Sequence, residues 1–148
     1  MSPRRGFTLI EMLVVLVIVS ILTAVAVPSY TGYIVRTKRS EGQFALIEAM
    51  QQQERYRLQH NSYAEYPSGD GDAAPPGMLR WSGASAAASF YEIDAHACPG
   101  QDIASCVVVR ARPGTARVDS RFRDPDCGAL TLDSTGVHAA EGNGRCWP

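Results

Sequence analysis

From Phe7 to Val27 the chain reads FTLIEMLVVLVIVSILTAVAV, 21 residues in which Glu11 is the only charge. About 20 apolar residues span a bilayer as a helix, so the segment is long enough to cross one. Arg4 and Arg5 precede it. Basic residues stay on the cytoplasmic side, so the rest of the chain is expected beyond the membrane. Outside this segment the chain is polar, and Gly and Pro concentrate after residue 60. Across all 148 residues, apolar side chains make up 45%, charged ones 20%, and the formal net charge is −1. That balance excludes a strongly basic nucleic-acid protein, an acidic disordered chain and a multi-pass membrane protein.

Two simple readings of the segment fail on Glu11. A secretory signal peptide would be cut near Ala24-Val25-Ala26. The run is longer than the usual apolar core of about 7–15 residues, and Pro28 stands just after the potential cut. A carboxylate at the centre of a membrane helix costs on the order of 3 kcal/mol, less near its end. A plain anchor fits the length but gives that carboxylate no partner, and the span holds no basic residue. Cleavage after Gly6 would create one: a new α-amino group on Phe7, able to neutralise Glu11 of its own chain or of a neighbour packed alongside.

Gly6-Phe7-Thr8-Leu9-Ile10-Glu11, behind a short basic leader and ahead of a long apolar helix, resembles the processing site of type IV prepilins. The resemblance implies cleavage after Gly6 by a prepilin peptidase and methyltransferase, N-methylation of Phe7, and an assembly role for Glu11. Pro28 matches a proline that pilins carry near the end of the apolar half, and implies a kink there, with local unfolding of about residues 20–28 in a filament. The physics fits. In a water-free filament core a carboxylate is tolerated only if paired. An amine from the adjacent subunit supplies the pairing, and a wrong axial register leaves both charges unanswered. The hydroxyls of Thr8 and Ser20 are expected to bond to the preceding helical turn.

Helix signals continue past Pro28. Ser40 to His60 is rich in strong helix formers. Phe44, Ile47, Gln51, Glu54 and Leu58 follow 3–4 spacing, with Ala45, Ala49 and Met50 beside them, and predict the face that lies against a sheet. One helix from Phe7 to His60 would be roughly 80 Å long, and its first half must bury itself in lipid or in other copies. Arg55 and Arg57 suit the negative end of the helix dipole. Asn61-Ser62 ends the helix, and Tyr63 and Tyr66 are expected to pack the following loop down. Trp81 and Met78 are expected to anchor it further on.

Alternation from Phe90 to Ala95, the β-branched run Cys106 to Ala111 ended by Pro113-Gly114, and Gly128 to Asp133 predict three strands. The turn Ser134-Thr135-Gly136 leads into a fourth at Val137-His138-Ala139. Cys98, Cys106, Cys127 and Cys146 form no CxxC pair, and His60, His96 and His138 are scattered, so no metal site is expected. An even count behind an exported segment reads as disulfides. Three connectivities exist; Cys98–Cys106 with Cys127–Cys146 is favoured because each pair brackets a short loop-rich stretch. Closing a loop of about 20 residues adds roughly 3 kcal/mol. Gln52 to Tyr56, Asn61-Ser62-Tyr63 and the stretch from Asp126 to Gly136 followed by Cys146-Trp147 resemble PilE-type minor pilins. That resemblance implies a surface loop closed by Cys127 and Cys146.

No Ser/His/Asp spacing, phosphate-binding glycine loop or cofactor signature is present, so neither an enzyme nor a cofactor is expected. Arg110, Arg112, Arg117, Arg121 and Arg123 could contact DNA phosphates. Asp119, Asp124 and Asp126 interleave with them. Removing Arg4 and Arg5 from 14 basic residues leaves 12 against 15 acidic ones, a net −3. A solvated strand edge, protected from mispairing by charge, is the preferred reading of that cluster.

The sequence thus reads as an α+β pilin fold. A leader at 1–6 precedes a membrane and filament-core helix at 7–34, kinked near Pro28, and a head at 35–148. The head holds a helix at 35–60, a connecting loop at 61–89, a four-stranded antiparallel sheet at 90–140 and a disulfide loop at 127–146. The expected role is a structural subunit, a minor pilin, of a type IV pilus acting in twitching motility, adhesion or DNA uptake. Its expected partners are other pilin subunits and an inner-membrane assembly platform. Before assembly it would sit in the inner membrane with a periplasmic head, and afterwards on the cell surface. The alternatives are a pseudopilin of a type II secretion system and a DNA-binding minor pilin.

Overall fold

A computed structural model describes residues 7–69 and 74–148. Helix α1, Leu9–His60, runs through residue 28 without interruption, and the chain divides into two compact units after Arg36.

In the first unit, α1 starts on Thr8. The Glu11 N–H donates to Thr8 Oγ1 at 3.3 Å and to the Thr8 carbonyl at 3.1 Å. Thr8-Leu9-Ile10-Glu11 is therefore a helix-capping sequence, with Glu11 in the first turn where a carboxylate suits the helix dipole. The Thr8 hydroxyl accepts from the turn that follows it, which corrects the expectation for that group. Ser20 does behave as expected: its hydroxyl donates to the Leu16 carbonyl at 2.7 Å. Thr23 donates likewise to Val19 at 2.9 Å. The large apolar side chains from Leu9 to Val25 are all exposed on the single chain.

In the second unit, the rest of α1 packs on a four-stranded antiparallel sheet of order β1-β2-β3-β4. The strands are β1, Tyr91–Ala97; β2, Val107–Pro113; β3, Leu130–Asp133; and β4, His138–Ala140. Side chains alternate across a strand. Tyr91, Ile93 and Ala95 of β1, Val107, Val109 and Ala111 of β2, and Leu130 and Leu132 of β3 face the core with Leu46 and Ala49 of α1.

Of the expected face, Ala45, Ala49 and Met50 do pack on the core, but the bulky residues that defined it do not. Arg39, Gly42, Ala45, Leu46, Ala49 and Gln53 are buried, while Phe44, Ile47, Gln51, Glu54 and Leu58 are exposed. Phe44 is 71% exposed and Leu58 85%. The reason is space. A Cβ on Gly42 would meet the Tyr91 ring at 3.0 Å, so α1 approaches the sheet through small residues and its bulky ones point away.

α1 ends at Asn61, whose φ of 55° is the left-handed cap conformation and whose N–H donates to the Arg57 carbonyl at 2.8 Å. The Gln53 amide then donates to the Ala64 carbonyl at 2.8 Å and accepts from its N–H at 2.9 Å. Tyr63 and Tyr66 are buried, as expected, and Met78 packs on the core. The connecting loop also pairs with the outer edge of β1. Tyr66 exchanges both backbone hydrogen bonds with Ala95 at 3.0 Å, and the Ile93 N–H donates to the Arg80 carbonyl at 2.8 Å. At the other edge, the indole of Trp147 donates to the Ala139 carbonyl of β4 at 3.0 Å.

Both disulfides form in sequential order. Cys98–Cys106 closes the β1–β2 hairpin one step beyond the Ala97–Val107 pair, and Cys127–Cys146 closes the C-terminal loop.

Candidate functional site

Two groups of residues carry the expected chemistry. The first is the N-terminal segment. Gly6 and the leader 1–6 lie outside the described residues. Phe7 and Glu11 are both exposed at the start of α1. Among the described residues, α1 is the one helix long and apolar enough to cross a membrane. Glu11 sits near the end of the apolar segment, so its cost in lipid is lower than at the centre. Its place in the capping sequence was missed at the level of sequence, although Thr-x-x-Glu before an apolar run is a known helix-start signal.

The second group is the arginines, and the structure separates them. β2 is an interior strand, so Arg110 and Arg112 do not line a sheet edge; this corrects the edge reading. Both sit opposite acids of β1, with Asp94 facing Arg110 and Glu92 facing Arg112 in register. Arg110 Nε lies 3.1 Å from Asp94 Oδ1, and Arg112 Nε lies 3.1 Å from Asp94 Oδ2. Asp94 is 0% exposed. Arg112 also reaches Glu92 at 3.5 Å, and His96 stands 3.1 Å from Asp94. A buried carboxylate requires such partners, so these cations are committed to the sheet.

Arg117, Arg121 and Arg123 lie on the loop between β2 and β3. That loop is tied to the segment ahead of β1: the Asp119 N–H donates to the Ser89 carbonyl at 2.9 Å, and the Gly114 N–H to Phe90 at 3.1 Å. Arg123 donates to the backbone carbonyls of Ser120 at 2.6 Å and Phe122 at 2.7 Å, closing the loop on itself. Arg121, its side chain 91% exposed, pairs with Asp119 at 3.4 Å. The Arg117 guanidinium lies 5.1 Å from the centre of the Trp81 ring, and that of Arg80 lies 5.4 Å from it.

A third cluster was not anticipated. Arg39 of α1 grips Asp124 with two charge-assisted bonds, Nε to Oδ2 at 2.8 Å and Nη2 to Oδ1 at 2.6 Å. The Tyr91 hydroxyl donates to Asp124 Oδ2 at 2.9 Å, and the Cys127 N–H to Oδ1 at 3.2 Å. Arg39 also lies 3.3 Å from Asp126, and Gln43 donates to the Cys146 carbonyl at 2.6 Å. Together they fasten both ends of the Cys127–Cys146 loop to α1. Burial pushes the Asp124 carboxyl up, but the bonds from Arg39 and Tyr91 prevail and hold it below the usual range. Burial, then the neighbouring Asp124, pushes the Tyr91 phenol up. Nothing in residue spacing marks Arg39 and Asp124 as a pair, since 85 positions separate them.

Comparison with known proteins places these features in a family. Residues 1–27 match a profile described as the prokaryotic N-terminal methylation motif. Residues 28–131 match one described as type IV minor pilin ComP, DNA uptake sequence receptor. A type IV major pilin protein PilE1 of Neisseria gonorrhoeae is 39% identical over 80 residues, covering 52% of this chain and 47% of the relative. The type IV major pilin protein PilA of Myxococcus xanthus is 33% identical over 93 residues, 62% of this chain and 42% of the relative. The match thus spans less than half the length of these relatives. A solved type IV pilin from Shewanella oneidensis aligns over 77% of this chain and 98% of its own, with 24% identity and a TM-score of 0.44. With the methylation motif at its start and residues 28–131 matched beyond it, the chain is a type IV pilin and belongs to the ComP minor pilin family.

Proposed function

We propose that the chain is held in the inner membrane by its N-terminal helix, with the head in the periplasm, until it is built into a pilus through that same helix. Prepilin peptidase cuts after Gly6 and methylates Phe7, and an assembly platform in the inner membrane extracts the subunit. The observation that carries this reading is the exposed apolar surface from Leu9 to Val25, which nothing in its own unit covers. The new amine of Phe7 answers Glu11 of the neighbouring subunit and sets the axial register. Pro28, lacking an N–H for the helical ladder, is where the helix bends. Twitching motility and adhesion are the roles such a filament serves. The ComP-family match favours a pilus over a secretion pseudopilus.

Intact-mass measurement of the membrane form tests the processing. A chain starting at Phe7 with one added methyl supports it; a start at Val27 overturns it in favour of an ordinary exported protein. Glu11→Gln separates the two roles of the acid, since it keeps the side-chain shape in the capping turn but removes the charge. Loss of surface filaments, with the subunit still stable in the membrane, is the expected result. Filaments at the parent's level would remove the assembly role.

A second reading is favoured by the family match: the head contacts DNA during uptake. The net charge that weighed against it is a sum over the whole molecule. Phosphate binding depends on where unanswered cations lie. Salt-dependent binding of a duplex by the full-length protein in detergent tests this; no binding at low salt removes it.

A further inference from the structure

We propose that the surface contacting the DNA backbone lies on the loop between β2 and β3, where Arg117 packs on Trp81 and Arg121 follows four residues later, and that neither the sheet arginines nor the two disulfide loops form it. The inference rests on the DNA-contact reading above. It begins from the sorting of the cations. Arg110 and Arg112 are held by the buried Asp94 and by Glu92, and Arg39 by Asp124. Pulling one of these toward a phosphate would take a charge partner away from a buried carboxylate, which is unfavourable. They are unavailable.

Arg117 differs. Among the described residues it has no ion pair, and its buried Nη1 finds no hydrogen-bond acceptor. What holds it is the face of Trp81. An aromatic ring attracts a guanidinium but carries no net charge, so the positive charge of Arg117 stays uncompensated. The ring also fixes the side chain, so less conformational freedom is lost when a phosphate arrives. Trp81 is itself fixed, because its backbone bridges to Glu92 of β1. Arg121 extends the patch from the same loop. Its partner Asp119 is partly buried, but the pair is long at 3.4 Å and its guanidinium is solvent-exposed, so it is weak enough to exchange for phosphate. Arg80 adds a second guanidinium against the same ring. The two disulfide loops are poor in basic residues: the Cys98–Cys106 loop has no lysine or arginine, and the Cys127–Cys146 loop has Arg145 alone.

The test measures duplex affinity of full-length, detergent-held protein by fluorescence anisotropy across a salt series. The variants are Arg117→Gln, Arg121→Gln, Trp81→Ala and Trp81→Phe, with Arg55→Gln as a charge-matched control on α1. Thermal melting confirms that each variant is folded. Arg117→Gln and Arg121→Gln are expected to weaken binding several-fold, each lowering the slope of log K against log salt by about 0.9. Trp81→Ala is expected to weaken binding without changing the protein's charge, and Trp81→Phe to restore part of it. Arg55→Gln is expected to bind as the parent does. If the parent binds and these loop variants bind equally well, the proposed surface is wrong and the DNA reading stands. If the parent itself does not bind, both fall.

Discussion

The two parts of α1 use hydrophobicity in opposite ways. From Leu9 to Val25 the large aliphatic side chains are exposed all round. From Thr37 to His60 the helix buries glycine, alanine and polar residues along with Leu46, and leaves Phe44, Ile47 and Leu58 outside. In the first part bulk is left uncovered by its own unit. In the second, closeness to the sheet matters more than bulk, because the large partners (Tyr91, Ile93, Val109, Leu130) are supplied by the strands. A hydrophobic side chain on such a helix is therefore no sign of core; a glycine or alanine at 3–4 spacing is the better one.

The largest expected effect comes from Asp124→Ala, which leaves the buried Arg39 cation with only the more distant Asp126 as a charge partner. It should cost about 3–5 kcal/mol of head stability in chemical denaturation. Acid titration sharpens the same point. The folded-state carboxyl of Asp124 sits below its ordinary value of 3.8. Its contribution is therefore present above that value and is lost as pH falls through the folded-state one. The parent's melting temperature should drop below about pH 4, and Asp124→Ala should lose part of that dependence. A parallel dependence in both would remove Asp124 as its source.

Next comes Gly42→Val, which drives a branched side chain into the Tyr91 ring and should cost about 1–3 kcal/mol by overpacking. Phe44→Ala, two residues away, should change head stability by less than about 0.5 kcal/mol, as surface substitutions do. Equal effects at the two positions would break the contrast between bulk and closeness. A head unaffected by Gly42→Val would show that the ring can move aside.

Much of this was legible in the residues. The Gly6–Glu11 motif, the apolar run, the period-2 strands and the loop-bracketing cysteines each depend on local order along the chain. What escaped depends on distance in space. Phe44 and Ile47 carry helical periodicity, yet the face they mark is the outer one, because periodicity locates a stripe and packing volume decides which stripe is buried. Arg110 and Arg112 read as a charged edge because strand order is not written in strand sequence. Arg117, unlike Arg110, lies on the face of Trp81, 36 positions earlier in the chain, and nothing at either position announces the other.

The sheet has no inviting margin. Tyr66 and Arg80 occupy backbone positions along β1, β4 is three residues long, and Trp147 occupies one of its carbonyls. Unsatisfied strand edges are what lets crowded proteins zip together into cross-β aggregates. With those margins blunted, heads pressed against one another at high density have little backbone to share. The fold thus guards the head against clumping through its own sheet.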